Sequence, residues 1–127
     1  MTVGLNHTIV WSSDRHRASE FFARIFALPA PVKVSRFQVV TLDNGVSLDF
    51  ADTSKPIATQ HYAMLVSEPE FDGIYARIRE EGIPHWSDPG RTRPDEINHN
   101  HGGRGVYFTD PDGHVLEALT VPYGGAA

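Results

Sequence analysis

The sequence repeats once within itself, and this internal repeat constrains the fold more than any other feature. Phe22-Ala23-Arg24-Ile25 returns as Tyr75-Ala76-Arg77-Ile78, at about the same separation as the histidines His7 and His61. Each histidine lies in a β-rich, mostly apolar segment that precedes its copy of the repeated segment. A period of this length is typical of a chain that carries two copies of one supersecondary unit.

Each copy contains one amphipathic helix after its first β-rich segment. The first helix has an N-cap signal at Ser12-Ser13-Asp14, and the second begins with a capping box of Ser67 and Glu70. Apolar residues at helical spacing follow both signals. They are Ala18, Phe21, Phe22 and Ile25 in the first copy, and Phe71, Ile74, Tyr75 and Ile78 in the second.

Three further β-type runs complete the first copy. They are Val32 to Phe37, Gln38 to Leu42 and Val46 to Phe50, with Asp43-Asn44-Gly45 as a strong hairpin turn before the last run. We therefore predict an α+β fold.

The two copies form one predicted domain that spans residues 1–127, because a chain of this length supports a single hydrophobic core. The predicted βαβββ modules occupy residues 2–54 and 58–122. Each helix would cover one face of its sheet, and the remaining faces would form a shared concave surface.

The hairpin of residues 105–119 carries one carboxylate in the middle of an otherwise apolar run. Its three-residue loop, Pro111-Asp112-Gly113, suits a type I turn followed by a left-handed glycine. Counting outward from this loop places Tyr107 directly opposite Glu117. Because an isolated glutamate in a strand core costs several kcal/mol, Glu117 needs a partner from elsewhere in the chain.

Two histidines and two carboxylates occupy matching places in the two copies. His7 and His61 lie in the first strands, and alignment of the last hairpins makes Asp49 the counterpart of Glu117. Two imidazoles and one carboxylate form the ligand set of an open divalent metal site, and Asp49 would make an octahedral ion with two waters possible. Each histidine alone could instead be a core or surface residue, and Asp49 a solvated strand residue.

The stretch from Ser87 to Gly103 has no counterpart of this length in the first copy. It is rich in proline, glycine, arginine and asparagine and carries His99 and His101. Long loops in small domains are more often functional than not, although solvated polar residues remain the default. The other histidines, His16, His85 and His114, are expected at the surface.

Charge and composition limit the classes of partner. The net charge is −5, the pI is near 5.7, and no basic cluster stands out, which argues against nucleic acid and anionic membranes. The chain has no cysteine, so thiolate ligands and disulfides are excluded. No run of about 20 apolar residues and no signal-peptide pattern is present, so we expect a cytoplasmic protein with a small-molecule substrate.

The paired units, the first-strand histidines and the ending Asp110-Pro111-Asp112-Gly113-x-x-x-Glu117 resemble the vicinal oxygen chelate superfamily. Glyoxalase I, bleomycin-resistance proteins, fosfomycin-resistance enzymes, methylmalonyl-CoA epimerase and extradiol dioxygenases are among its members. The resemblance implies an incomplete β-barrel around a cleft, a bound divalent metal and a homodimer. It also implies that His7, His61 and Glu117 are metal ligands, with Asp49 at a fourth position that is glutamate in glyoxalase I.

A second pattern resembles the signature of extradiol ring-cleavage dioxygenases. Ile97-Asn98-His99, then Val106-Tyr107, precede the ending that carries Glu117. This implies Fe²⁺ as the favoured ion, His99 and Tyr107 as catalytic residues, and dioxygenase chemistry on a catechol-like or other vicinal-oxygen substrate. The alternatives are a glyoxalase-type lyase or isomerase, for which Ni²⁺, Zn²⁺, Mn²⁺ or Co²⁺ are candidates, and a metal-free antibiotic-binding protein.

Overall fold

Each copy of the repeat forms a four-stranded sheet with one helix in the computed structural model, which describes residues 2–124. The first copy consists of β1 (His7–Ser12), α1 (Arg15–Ile25), β2 (Val32–Val34), β3 (Phe37–Thr41) and β4 (Ser47–Asp52). The second consists of β5 (His61–Leu65), α2 (Glu68–Glu80), β6 (His85–Trp86), β7 (Gly105–Thr109) and β8 (Val115–Leu119). The prediction of an α+β fold built from two βαβββ modules is confirmed.

The chain divides between Ala58 and Thr59 into two compact units. The strand order is β1-β4-β3-β2 in the first unit and β5-β8-β7-β6 in the second, so the two sheets have the same topology. In each sheet the strands that come first and last in the chain, β1 with β4 and β5 with β8, are neighbours and run parallel. The other neighbouring strands run antiparallel. None of the helices within residues 2–124 has the length and apolar character that a bilayer crossing requires.

In the first unit, α1 packs against one face of the sheet. Asp14 caps the helix, because its side chain accepts hydrogen bonds from the backbone N–H groups of His16 and Arg17. The buried side chains of the helix are Ala18, Ser19, Phe22, Ala23 and Ile25, and those of the strands include Val10, Val40, Leu48 and Phe50.

The predicted run from Val32 to Phe37 is wrong as a single strand. It is broken by a tight turn at Ser35 and Arg36, which joins β2 to β3 in a two-residue hairpin. Ser35 has φ +54°, a left-handed conformation that the sequence does not signal, because neither glycine nor asparagine stands there.

In the second unit, the capping box of Ser67 and Glu70 is present as predicted, and α2 buries Phe71, Ile74 and Ile78. The hairpin of β7 and β8 has the predicted register, with Tyr107 opposite Glu117. Gly113 has φ +89°, the left-handed conformation that its loop requires.

The expectation that His85 and His114 lie at the surface is wrong, whereas His16 is exposed as expected. The ring of His114 is only 1% exposed and accepts a hydrogen bond from the backbone N–H of Gln60 at Nδ1, over 2.9 Å. The rings of His85 and His114 also make T-shaped contacts with aromatic rings. These partners come from other elements of the fold, so they leave no local pattern in the sequence.

Candidate metal centre

A buried carboxylate and a histidine meet in the second unit. Glu117 lies in the middle of β8 and is only 2% exposed. The neighbouring parallel strand β5 begins with His61, and its Nε2 is 3.0 Å from Oε1 of Glu117. The β5–β8 register brings the two side chains together, because Glu117 lies two residues beyond the Cα partner of His61, which is Val115.

The second ring nitrogen of His61 determines what this contact requires. The carbonyl of Val115 can only accept a hydrogen bond, so Nδ1 carries a proton and donates it across 3.1 Å. A neutral ring in this tautomer would direct the Nε2 lone pair at an ionised carboxylate. The contact is therefore favourable if the ring is an imidazolium, or if a cation binds the lone pairs of both groups. This pair of donors fits a divalent cation.

Two tyrosines adjoin the His61–Glu117 pair. The hydroxyl of Tyr123 donates to Glu117, with distances of 3.1 Å to Oε1 and 3.4 Å to Oε2. The Tyr107 ring stacks on the His61 ring, with 5.9 Å between centroids. Burial, followed by the hydrogen bond with Tyr123 and the charge of Glu117, raises the pKa of Tyr107 far above its usual range. Tyr107 therefore remains a neutral phenol that can donate a hydrogen bond.

The first unit presents the corresponding residues in a different local arrangement. His7 is opposite Ser47, and Asp49 lies two residues further along β4, the same offset as in the second unit. Nδ1 of His7 donates to Oδ1 of Asn6 at 2.8 Å, which leaves Nε2 as the lone-pair nitrogen. Asp49 accepts a hydrogen bond from the Ser47 hydroxyl at 3.0 Å instead of contacting the histidine.

Both histidines thus have the kind of Nδ1 partner that metal-binding histidines usually have. An oxygen acceptor holds Nδ1–H in each case, and such partners fix the ring and leave Nε2 for an ion. Within residues 2–124, however, no three side chains of His, Asp or Glu form a group that could hold a metal ion. The structure therefore brings together two of the four predicted ligands, His61 and Glu117, and the roles of His7 and Asp49 stay predictions.

The loop that was predicted to carry catalytic His99 is anchored to the second sheet. Asn98 pairs with the backbone of Gly105 at 2.8 and 3.0 Å, and its side chain donates to the Ser87 carbonyl at 2.9 Å. A Cβ on Gly105 would lie 2.9 Å from the Asn98 amide, so this approach requires glycine.

His99 itself is exposed and lies within electrostatic range of Glu68, at the start of α2. A hydrogen bond from Thr120, then one from Arg104, lowers the pKa of Glu68, and the charge of His99 adds the smallest part. His101 lies nearer the Glu117 cluster, since its ring centroid is 6.1 Å from that of Tyr123. Its φ of +56° is uncommon for a residue with a side chain.

Sequence reasoning missed Tyr123 and Asn6. Tyr123 follows the last strand by four residues, in a short stretch with no periodicity, so only the folded chain reveals its contact with Glu117. Asn6 is adjacent to His7, a predicted ligand. An asparagine oxygen at this position was the one sequence signal of a hydrogen-bond partner for that histidine.

Comparison with known proteins agrees with this fold and donor set. A family model described as Glyoxalase/Bleomycin resistance protein/Dioxygenase superfamily matches residues 4–118. The metallothiol transferase FosB of Shouchella clausii (strain KSM-K16) is 31% identical over 126 residues, which cover 94% of this chain and 82% of that protein.

Two solved structures are more similar. Oxidase ChaP-H1 is 58% identical, with a TM-score of 0.96, and the match covers 98% of this chain and 100% of that one. Oxidase ChaP-H2 is 53% identical, with the same TM-score and complete coverage of both chains.

Proposed function

The chain belongs to the glyoxalase, bleomycin resistance protein and dioxygenase superfamily, and from this we propose a divalent-metal-dependent oxidoreductase. Its substrate would be a small molecule that binds the ion through two adjacent oxygens, as in dioxygenase chemistry on a catechol-like ring. The observation that carries the proposal is the buried Glu117 carboxylate 3.0 Å from a histidine whose other nitrogen is already occupied. The whole-chain likeness to two oxidases supports oxidative chemistry.

A second candidate function is transfer or lyase chemistry on the same ion. Proteins named as metallothiol and glutathione transferases match more than nine-tenths of the chain, at 31% and 26% identity. We favour the oxidoreductase because the oxidases are about twice as similar.

We propose that His7 is the third ligand and that Asp49 occupies a fourth position. A bound ion would supply positive charge and open positions for adjacent substrate oxygens. Fe²⁺ is the favoured ion, and Ni²⁺, Zn²⁺, Mn²⁺ or Co²⁺ would fit the same donors.

The chain's own residues would orient the substrate and move protons. Tyr107 is neutral and rigidly packed, so it would donate a hydrogen bond to a substrate oxygen that gains negative charge. His99 is proposed as the residue that exchanges protons with the substrate from the loop. Buried Glu117 would keep its carboxylate oriented through the hydrogen bond from Tyr123.

We further propose that the protein is a cytoplasmic, single-domain homodimer. The acidic, cysteine-free composition is consistent with this location. The dimer matters for the site, because the His7 ligand could come from the same chain or from the partner.

Metal content tests the proposal most directly. Protein purified without a histidine tag should contain about one divalent ion per chain by elemental analysis, and His61→Ala should contain almost none. Oxygen uptake on catechols with Fe²⁺ supports the oxidoreductase, whereas turnover with Ni²⁺, Zn²⁺ or Co²⁺ and no oxygen uptake supports the second candidate. A metal-free protein whose ligand variants bind small molecules unchanged would rule out both.

Mixing two inactive variants tests how the ligand set is assembled. If His7 serves the partner's His61 and Glu117, refolding His7→Ala together with His61→Ala yields heterodimers in which one of two sites is intact. Metal and activity should then reappear in the mixture. If the site lies within one chain, both chains of each heterodimer stay defective and nothing is regained.

A further inference from the structure

The first unit contains a cavity with an aromatic and two cationic side chains. Its volume is about 270 Å³, and it is lined by Trp11, Arg15, Arg36, Ala51 and Asp52. Whole small-molecule ligands usually occupy pockets of roughly 300–1,000 Å³. A cavity of this size therefore suits one ring system, or one end of a larger molecule.

Arg36 supplies a positive charge that no carboxylate within residues 2–124 neutralises. The two-residue turn between β2 and β3 presents it, and its guanidinium lies over the Phe37 ring, 5.5 Å from the centroid. No carboxylate of the described residues forms an ion pair with it. An arginine fixed in this way is suited to bind a planar anion.

Arg15 and Asp52 form an ion pair beside Arg36. The backbone N–H of Arg15 donates to Oδ1 of Asp52 at 2.7 Å, and its guanidinium bonds Oδ2. The backbone hydrogen bond is the main cause of the lowered pKa of Asp52, so this carboxylate is ionised at neutral pH. The cavity therefore has one net positive charge.

One polar group of this pair remains unsatisfied. Nε of Arg15 is buried and has no hydrogen-bond partner among the described residues. Buried donors without partners are rare in folded proteins and call for an explanation. An acceptor that enters with a ligand would provide one.

Trp11 and its strand neighbour Ala51 place one wall of this cavity on the same sheet face as His7. Along β1, Val10 and Ser12 are buried, so His7, Ile9 and Trp11 alternate onto the opposite face. Trp11 lies four residue steps from His7 along the strand, about 13 Å at roughly 3.3 Å per residue. Trp11 is 46% exposed, so part of this aromatic residue is accessible to a ligand.

We propose that this cavity binds one planar aromatic, singly negative end of an extended substrate whose adjacent oxygens lie at His7. The cation of Arg36 balances the anionic group, and the Trp11 ring stacks on the aromatic part. The assignment to the substrate rests on the proposed function, whereas the binding itself does not require a metal. The substrate class is thus an elongated aromatic acid or phenolate, and a single catechol ring would leave the cavity unfilled.

The test uses 2-naphthoate and its neutral analogue 2-naphthamide as probes, with the full chain held metal-free by chelator. The chain has two tryptophans, so a Trp86→Phe background leaves Trp11 as the reporting fluorophore. We expect saturable fluorescence change with naphthoate, and about tenfold weaker binding for Arg36→Gln and for naphthamide. Arg91→Gln is the matched control, because Arg91 lies over the Trp86 ring at 5.5 Å and should leave naphthoate binding unchanged.

Naphthoate binding that is absent, or that is equal for Arg36→Gln and for the neutral probe, would overturn the inference. His61→Ala should bind naphthoate as tightly as the unsubstituted chain. If the unsubstituted protein binds no metal or oxidises no substrate, that result would count against the proposed function alone, because the naphthoate titration is carried out without metal.

Discussion

The two units share one topology and one register, yet only the second brings its histidine and carboxylate into contact. His61 bonds Glu117 directly, whereas Asp49 bonds Ser47 and His7 bonds Asn6. Glutamate has one more methylene than aspartate, so it reaches further across the same offset.

The residue opposite each histidine strengthens this difference. Ser47 offers Asp49 a hydroxyl two residues away, while the corresponding Val115 offers its carbonyl to His61 and no polar side chain to Glu117. The backbone positions are thus equivalent in the two units, and side-chain length together with one hydroxyl makes the second pair the stronger candidate for holding an ion.

Removing the charge from each carboxylate gives the largest expected contrast between the units. Glu117→Gln should weaken metal binding by more than about 100-fold, because even residues outside the ligand shell typically contribute about 10- to 100-fold. Asp49→Asn, the matched variant, should weaken it by less than about tenfold. Calorimetric titration of the ion, with circular dichroism to confirm folding, measures both. Equal losses in the two variants would contradict the asymmetry.

Much of the fold that underlies this contrast could be predicted from the sequence. The repeat, the helical stripes and the hairpin loop are local signals. They correctly predicted the βαβββ modules, an N-cap within Ser12-Ser13-Asp14, the Ser67 cap and the Tyr107–Glu117 register. Side-chain reach across a parallel strand pair has no local signal. The direct contact of Glu117 and the diverted one of Asp49 therefore appear only in the folded chain.

Sequence reasoning missed one contact between distant segments and two features that depend on turns without a local signal. The ring of buried His114 accepts its hydrogen bond from the backbone N–H of Gln60, which is 54 residues away. The Tyr123 contact depends on how the chain turns after β8, and the Ser35 turn lacks the usual turn residues. Periodicity describes which face a residue occupies, but it does not identify the partner on that face.

Tyr107→Phe tests whether the second unit also supplies proton chemistry. The variant should keep its metal and lose about 100-fold in kcat, as expected for one hydrogen-bond donor to a developing charge. Because burial raises the pKa of Tyr107, the hydroxyl stays protonated across the working range, so the alkaline limb of the rate profile should not change. Unchanged turnover would reduce this tyrosine to a packing role.

Tyr123→Phe should have a smaller effect on the same carboxylate. Loss of its hydrogen bond to Glu117 is expected to weaken metal binding roughly tenfold, the low end for a residue outside the ligand shell, since Tyr123 is 66% exposed. Tyr62→Phe, which alters a hydroxyl elsewhere in β5, is the control. If both variants bind the ion as tightly as the parent protein, Glu117 is oriented without help from the C-terminal segment.

The smallest expected effect separates two histidines of the loop that only the second unit has. His99 is predicted to exchange protons with the substrate, so His99→Ala should lower kcat several-fold and leave metal binding unchanged. His101→Ala is the matched variant, because its ring lies 6.1 Å from Tyr123 whereas His99 lies towards Glu68. If kcat falls with His101→Ala instead, the role passes to His101, whose left-handed backbone then has a functional explanation. In either case the second unit would owe its proton chemistry to an insertion that the first unit lacks.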